Sequence, residues 1–192
     1  MIFLASQSPR RSELLRQLGV DFEVIDVDVP ERREPGEPAA DYVSRVAREK
    51  AGAGLLQIVT VPAAIVIGAD TEVLLDDEVF GKPADAVDAA HMLRRLSGRE
   101  HRVLSVVWAV SAGREEHAMC ETTVEFVDLS DARIAGYVAT GESTGKAGAY
   151  AIQGRAAAFI RRIEGSYSGV MGLPLHETAE LLRRFGAAHV SG

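Results

Sequence analysis

The chain has 192 residues, of which 47% are hydrophobic and 26% charged, and this composition is typical of a globular protein with a substantial core. No apolar run reaches the ~18–20 residues that span a bilayer, and the polar residues after the first four argue against a signal peptide. The net charge of −7 argues against nucleic-acid binding, which requires clustered cations, although a few converging cations would suffice for a small phosphorylated ligand.

The first predicted elements are a strand and a helix that follows it directly. Met1 to Ala5 is mostly apolar and predicts a short buried strand. Ser8 is a favoured N-cap residue, and Pro9 is favoured at the first position of a helix. The hydroxyls, the guanidiniums of Arg10 and Arg11 and the positive end of the helix dipole predict an anion site, for phosphate above all. The alternative is an ordinary capped helix with two solvated arginines.

A second strand, a charged loop and a long helix come next. Phe22 to Ile25 alternates in polarity as a strand does, and Pro30 to Pro38 is rich in charge and turn formers. Ala39 to Leu56 has the apolar periodicity of an amphipathic helix. Lys50 falls beside the apolar side of this helix. It is either a lysine whose stem covers apolar surface or a cation turned toward a site.

A carboxylate follows the next buried strand. Ala64 to Gly68 is a short apolar run, which predicts a central strand buried on both faces. Asp70 comes just past it, and open α/β sheets bind ligands at the ends of such strands. The alternative is a turn aspartate that binds its own backbone. Glu72 to Leu75 and Glu78 to Phe80 predict a hairpin.

The rest of the chain alternates further predicted strands and helices, which favours an α/β fold in a single domain over residues 1–192. Two valine-rich runs are long enough to form an antiparallel pair of strands. The predicted helices are Ala84 to Leu96, Asp131 to Ala139 and Leu175 to Phe185; the strands are His101 to Val110, Cys120 to Leu129 and Ala158 to Ile163; the glycine-rich loops are Gly141 to Gly154 and Gly165 to Pro174.

Several common site motifs are missing. Gly141 to Lys146 departs from the P-loop, because its glycine spacing is one residue short and Ala147 replaces the hydroxyl that would bind magnesium. The five histidines form no His-Glu-x-x-His zinc pair, and the Gly-x-Ser-x-Gly elbow of serine hydrolases is absent. The single cysteine, Cys120, excludes an internal disulfide and is typical of a reducing compartment.

Five segments, in order along nearly the whole chain, resemble the motifs of the Maf family of nucleoside triphosphate pyrophosphatases. They are Ala5 to Arg11, Gly68 to Thr71, Gly81 to Pro83, Lys146 to Gly154 and Ser166 to Pro174. The resemblance implies a cytoplasmic α/β protein, commonly a homodimer, with a mixed, twisted sheet flanked by helices and a cleft between two lobes. It also implies cleavage of nucleotides between the α- and β-phosphates with a divalent cation, Mg²⁺ or Mn²⁺.

The resemblance further implies a substrate and roles for individual residues. Thr71 after Asp70, together with Gln153 between Ile152 and Gly154, is similar to the branch that acts on dTTP and UTP. Asp70 would be the catalytic base, and Asp70 and Glu31 the metal ligands. The substrate-binding set would be Ser6, Ser8, Arg10, Arg11, Lys50 and Lys82, and the base would be read by Arg10, Thr71 and Gln153. Gly145 stands where members often have an acidic residue, so no role is assigned there.

Two other functions stay open at this point. One is a pyrophosphatase for modified purine nucleotides such as ITP, which would use a similar cleft and chemistry. The other is a non-catalytic, nucleotide-binding regulator of septum formation, a process with which the family has been linked. The carboxylate of Asp70 favours an enzyme, because a protein that only binds a triphosphate gains little from a nearby negative charge without a metal.

Overall fold

The computed structural model describes residues 1–187, which form a seven-stranded mixed sheet flanked by helices. The strands are β1 (Ile2–Ala5), β2 (Phe22–Ile25), β3 (Ile65–Leu75), β4 (Glu78–Phe80), β5 (Glu100–Ser111), β6 (Arg114–Phe126) and β7 (Ile160–Glu164). The α-helices are α1 (Pro9–Gln17), α2 (Ala39–Gln57), α3 (Ala86–Leu96), α4 (Asp131–Val138), α5 (Tyr167–Met171) and α6 (Leu175–Arg184). Short 3₁₀ segments cover Ala147–Ala149 and Arg155–Phe159.

The sheet has the strand order β2-β1-β3-β5-β6-β7, and β4 pairs with β3. β1 is parallel to both β2 and β3, whereas the β3–β4 and β6–β7 pairs are antiparallel. The predicted mixed sheet is therefore confirmed. No helix within residues 1–187 has the length and apolarity needed to cross a membrane.

The chain divides into two compact units. The first unit consists of Met1–Asp70, Ser105–Cys120 and the segment from Gly172 onward; the second consists of Thr71–Leu104 and Glu121–Met171. Each unit has its own apolar cluster. The cluster of the first unit includes Phe3, Ala5, Ile25, Ala51, Ala64, Val66 and Val110. That of the second unit includes Val73, Leu93, Val103, Phe126, Ile134, Tyr150 and Phe159.

In the first unit, helix α2 lies directly on β3 because Gly68 has no side chain. A Cβ atom built on Gly68 would lie 2.4 Å from the carbonyl oxygen of Ala47 and 2.6 Å from the backbone nitrogen of Ala51. Real Cβ atoms do not approach other atoms so closely, so a larger residue would push the helix off the strand. Gly68 thereby sets the distance at which side chains of α2 meet β3.

In the second unit, aromatic rings pack edge to face around a buried histidine. His101 is 2% exposed and lies edge-on to Phe126 and Tyr150, with ring centroids 4.9 and 5.5 Å away. Its Nε2 is 2.8 Å from the hydroxyl of Tyr150, and burial lowers the pKa of His101 to about 4. His101 is therefore neutral near pH 7, so its ring enters the core without a charge.

The structure corrects four local predictions. Asp70 does not follow the end of a strand, because β3 runs on to Leu75 and takes β4 as its partner from Val73. The Ser8 hydroxyl makes no capping hydrogen bond with α1. The strand expected from Ala158 begins only at Ile160, after a 3₁₀ segment. The second glycine-rich loop contains the short helix α5.

Candidate active site

A buried lysine joins two of the predicted site carboxylates. The ammonium of Lys50 donates to Oε1 of Glu31 at 2.6 Å and to Oδ1 of Asp70 at 2.7 Å. Glu31 is 19 residues before Lys50 and Asp70 is 20 residues after it, so the contacts depend on the fold and not on local sequence. Of the two alternatives for Lys50, the one that turns it toward a site agrees with these contacts.

Two regular periodicities explain why Lys50 meets Asp70. Residues two apart in a strand share a face, so Asp70 lies on the same face of β3 as Gly68. Residues three apart on a helix are neighbours, so Lys50 lies next to Ala47, whose carbonyl approaches Gly68. The close packing of α2 at Gly68 therefore brings the ammonium of Lys50 to the carboxylate of Asp70, two residues further along β3.

The pair is almost completely removed from water. The side chain of Lys50 is 9% exposed and that of Asp70 is 7% exposed. Neither ion would be stable there alone, since a buried charge needs a partner. Oδ2 of Asp70 is buried and has no hydrogen-bond partner within residues 1–187. The carboxylate therefore keeps an acceptor position for an atom from outside the chain.

These carboxylates fit part of a site for a divalent cation. Mg²⁺ in nucleotide-binding proteins is usually held by one or two carboxylates and completed by phosphate oxygens and water. Glu31 and Asp70 already meet at one cationic group, the ammonium of Lys50, and Asp70 Oδ2 has no hydrogen-bond partner among the described residues. No group of three or more His, Cys, Asp or Glu side chains in the described part of the chain could hold a metal. The remaining ligands would have to come from substrate and solvent.

A second group of predicted site residues gathers where β1 leads into α1. Ser6 is buried, and its Oγ accepts from the backbone N–H of Ser8 at 3.2 Å and from Nη1 of Arg11 at 3.4 Å. Nε of Arg11 also donates to the carbonyl of Gly172 at 2.8 Å. The guanidinium of Arg11 thus links α1 to the predicted motif Ser166 to Pro174, which contains Gly172.

Arg10 lies half-buried beside Arg11, in a setting that favours an anion. Burial and the neighbouring positive charge of Arg11 both lower the pKa of Arg10. A bound anion would relieve this repulsion and would also meet the N-terminus of α1, where backbone N–H groups point outward.

The register of the sheet brings the two groups to the same end of β1. Leu4 pairs with Ile67 in the parallel β1–β3 ladder. Ser6 and Asp70 lie two and three residues beyond these paired positions, at the carboxyl ends of the paired segments. This is the edge where parallel strands commonly place ligands.

Three other predicted residues belong to the second unit. Lys82 and Gln153 are exposed, and Thr71 is partly buried. The backbone N–H of Gly148 donates to the carbonyl of Gly81 at 3.2 Å, so two of the predicted motifs are joined there. The hydroxyl of Tyr137 accepts from the N–H of Ala151 at 3.1 Å and so helps to hold the segment that carries Gln153.

One feature of the first unit was not predicted from the sequence. Arg45 makes a two-pronged ion pair with Glu37, at 2.7 Å from Nε to Oε1 and 2.9 Å from Nη2 to Oε2. The apolar periodicity of α2 places Arg45 off the apolar side of the helix and indicates no partner for it. Its partner is in a loop without periodicity, so no sequence signal could have identified the pair.

Taken together, the first unit has a cationic helix start and two carboxylates around a buried lysine, on the edge of a mixed α/β sheet. A cationic helix start at the carboxyl ends of parallel strands is where α/β proteins commonly bind phosphate groups. The family model described as Maf-like protein matches residues 1–185, and the chain belongs to this family.

Curated relatives are similar over nearly the full length. The dTTP/UTP pyrophosphatase of Xanthomonas euvesicatoria pv. vesicatoria is 57% identical over 189 residues, which are 97% of this chain and 100% of that protein. The nucleoside triphosphate pyrophosphatase of Xylella fastidiosa (strain 9a5c) is 53% identical, over 96% of this chain and 98% of that protein. Among solved structures, the Staphylococcus aureus Ham1 protein is 15% identical with a TM-score of 0.44, over 66% of this chain and 72% of that one. A likeness that weak carries no argument.

Proposed function

We propose that the chain is a nucleoside triphosphate pyrophosphatase that acts on dTTP and UTP. Family membership and the names of relatives that are similar from end to end support this proposal. The observation that carries it within the structure is the arrangement of Asp70: Lys50 holds Oδ1, while Oδ2 is buried and has no hydrogen-bond partner in the part of the chain that the structure describes. A carboxylate oriented in this way can accept a proton from a bound water molecule.

The reaction requires positioning and charge neutralisation more than covalent chemistry. In the proposed mechanism, a water molecule attacks the α-phosphorus, and its proton passes to Asp70 Oδ2. The bond from the α-phosphorus to the bridging oxygen breaks, and pyrophosphate leaves with the electron pair. The products are the nucleoside monophosphate and pyrophosphate. A positioned base of this kind typically contributes ~10²–10⁴ in rate.

A divalent cation, Mg²⁺ or Mn²⁺, is part of the proposal. Asp70 and Glu31 would hold it, and it would supply neutralisation of the phosphate charge. Lys50 keeps both carboxylates in place by donating to one oxygen of each.

We assign the triphosphate to the cationic groups that the sequence indicated. Each charge-assisted hydrogen bond is worth on the order of 1.5–3 kcal/mol, so a few of them outweigh a distant net negative charge. In the first unit, this assignment is supported by the lowered pKa of Arg10 and by the N-terminus of α1. The proposed phosphate ligands are Ser6, Ser8, Arg10, Arg11, Lys50 and Lys82.

Base selection is proposed for Arg10, Thr71 and Gln153. A glutamine amide offers both a donor and an acceptor, which matches the N–H and C=O edge that uracil and thymine share. A base with the wrong edge would leave polar groups unpaired, and such mismatches discriminate strongly. The exposure of Gln153 agrees with a side chain that meets a ligand and not the core.

We further propose that residues 1–192 act as a single catalytic domain, as a homodimer in the cytoplasm. The substrate supports this location, since nucleoside triphosphates are made and used there. Sedimentation velocity at micromolar concentration tests the assembly, and a monomer under those conditions would contradict the proposed dimer.

The deciding experiment for the function is a panel of nucleotides with detection of released pyrophosphate. We expect release from dTTP and UTP in Mg²⁺ or Mn²⁺ and none in the presence of a chelator. Preferential turnover of ITP would instead support the purine alternative. Tight binding of dTTP without turnover in any metal would support the regulator.

A further inference from the structure

The segment that carries Glu31 has no regular structure of its own. It connects β2 to α2 and contains neither helix nor strand between Ile25 and Ala39. Glu31 is exposed within this segment, yet its carboxylate meets the buried ammonium of Lys50 at 2.6 Å. A long irregular loop has no ladder to fix it, so other contacts must hold Glu31 in place.

Arg45 provides those contacts from helix α2. Its guanidinium donates through Nε and Nη2 to the two carboxylate oxygens of Glu37, at 2.7 and 2.9 Å. The same Nη2 donates to the carbonyl of Arg32 at 3.0 Å. Arg32 follows Glu31 directly, so one planar group binds the loop beside Glu31 and again near the start of the helix.

Contacts within the loop complete this arrangement, which we call the Arg45 clamp (Arg32 to Glu37 with Arg45). The backbone N–H of Glu34 donates to Oε2 of Glu37 at 3.0 Å, and Nε of Arg33 donates to the carbonyl of Glu37 at 2.7 Å. The Glu37 side chain is only 12% exposed. Hydrogen bonds from Arg45 and from Glu34 lower the pKa of Glu37 to about 2, so its charge persists at any working pH.

Helix α2 therefore holds the loop at two points, the backbone next to Glu31 and the carboxylate of Glu31 itself. Arg45 and Lys50 lie on α2, where the first binds the loop backbone and the second binds the carboxylate of Glu31. We propose that Arg45 is a positioning residue for Glu31, an inference that rests on the function proposed above. The side chain of Arg45 donates to Glu37, Glu49 and the carbonyl of Arg32. None of these is a proposed site residue, so Arg45 acts on the site through the loop.

The test begins with Arg45→Met and Arg45→Lys. Loss of a group that orients a metal ligand typically costs about 10–100-fold in metal affinity or activity. We expect Arg45→Met to raise the Mn²⁺ concentration for half-maximal pyrophosphate release by that factor, with a smaller change in KM for dTTP. Arg45→Lys should recover only part of the loss, because an ammonium keeps the charge but cannot form the two-pronged contact.

Arg48→Met is the matched control. Arg48 lies on the same helix and makes the same kind of two-pronged pair, to Glu115 at 2.9 and 2.6 Å, but this pair does not involve the loop. We expect wild-type kinetics for this variant. If Arg48→Met lowered activity as much as Arg45→Met, a general effect on α2 would explain both, and the proposal would be wrong.

Two measurements separate positioning from overall stability. Hydrogen exchange should become faster in Arg45→Met for the peptide that contains the N–H of Glu34, while β1 and β3 stay protected. Calorimetry with Mn²⁺ alone should show a weaker affinity for Arg45→Met than for wild type. In the double variant Arg45→Met/Glu31→Gln, the loss of Mn²⁺ affinity should be smaller than the sum of the losses in the two single variants. Additive losses, or unchanged loop exchange, would overturn the proposal.

Failure of the proposed function gives a different result. If the wild-type protein released no pyrophosphate from dTTP or UTP, the function would be refuted. Exchange of the Glu34 amide and the Mn²⁺ titration would still report whether the clamp holds Glu31.

Discussion

Asp70 illustrates how strongly a single carboxylate depends on its surroundings. Its Oδ1 accepts from Lys50, and its Oδ2 is buried without a partner in the described chain. Removing one member of a buried ion pair is usually costly because the other charge is then unpaired. Asparagine keeps the shape and an acceptor oxygen for Lys50 but removes the basic oxygen, so it isolates the chemical role.

We expect Asp70→Asn to fold and to bind dTTP while kcat for pyrophosphate release falls by about 10²–10⁴, the usual contribution of a positioned base. Stopped assays of pyrophosphate and calorimetry with dTTP measure the two quantities. Asp21→Asn, at an exposed site in the same unit, serves as control. Near wild-type turnover in Asp70→Asn would remove Asp70 from the mechanism.

His101 couples the stability of the second unit to pH. Burial lowers its pKa to about 4 from 6.5, so the unfolded chain binds the proton more tightly than the folded one. The free energy of unfolding is therefore unaffected by this group above pH 6.5 and decreases as the pH falls toward 4. The lowering of the pKa from 6.5 to about 4 corresponds to a loss of about 3 kcal/mol.

Urea unfolding at pH 7 and pH 4.5 measures this dependence. His101→Gln should lose less stability than wild type between these two values, because the titrating group is gone. Tyr150→Phe removes the hydrogen-bond partner at 2.8 Å but leaves the histidine buried, so it should keep the wild-type slope. Parallel slopes for wild type and His101→Gln would mean that other groups cause the decrease.

Among the elements, helix α2 contributes most to the site. It places Lys50 against Asp70 and Arg45 against the preceding loop, and its distance from β3 depends on Gly68. The sequence predicted the helix nearly to the residue, as Ala39 to Leu56 against the observed Ala39–Gln57. Periodicity reveals such a helix because its apolar side repeats, but it does not reveal which strand the helix covers.

Gly68→Ala tests this interface, and Gly52→Ala, at a position of α2 with open space around it, is the matched control. The added Cβ at Gly68 would collide with backbone atoms of α2, so we expect a loss of about 1–3 kcal/mol and a fall in activity as Lys50 shifts from Asp70. Gly52 has nothing within 4 Å of the added atom, and alanine there should stabilise α2 by up to about 1 kcal/mol. Thermal unfolding and pyrophosphate release measure both. Equal stability in the two variants would contradict close packing at Gly68.

The molecule as a whole has two compact units with separate apolar clusters. The expected α/β class and mixed sheet are confirmed, whereas the single domain and the cleft between lobes stay predictions. β3, β5 and β6 contribute residues to both units, a division that no boundary in composition indicated.

Metal removal should affect activity but not folding. The cation proposed for Asp70 and Glu31 would neutralise phosphate charge, and residues 1–187 contain no other set of three or more candidate metal ligands that would tie a metal to the fold. We expect EDTA to abolish pyrophosphate release while the midpoint of thermal unfolding changes little without nucleotide. A large drop in that midpoint would indicate a structural metal and contradict this expectation.

The sequence by itself determined most of the helices and strands and the five motifs, because propensity and apolar period are local properties of the chain; the short helix α5, within a glycine-rich loop, was missed. Only the tertiary structure decided which charges meet. Arg11 binds a carbonyl 161 residues away, and Lys50 finds carboxylates 19 and 20 residues to either side. Those partners depend on strand register and on the close packing of α2 at Gly68, and neither is encoded in any single stretch of residues.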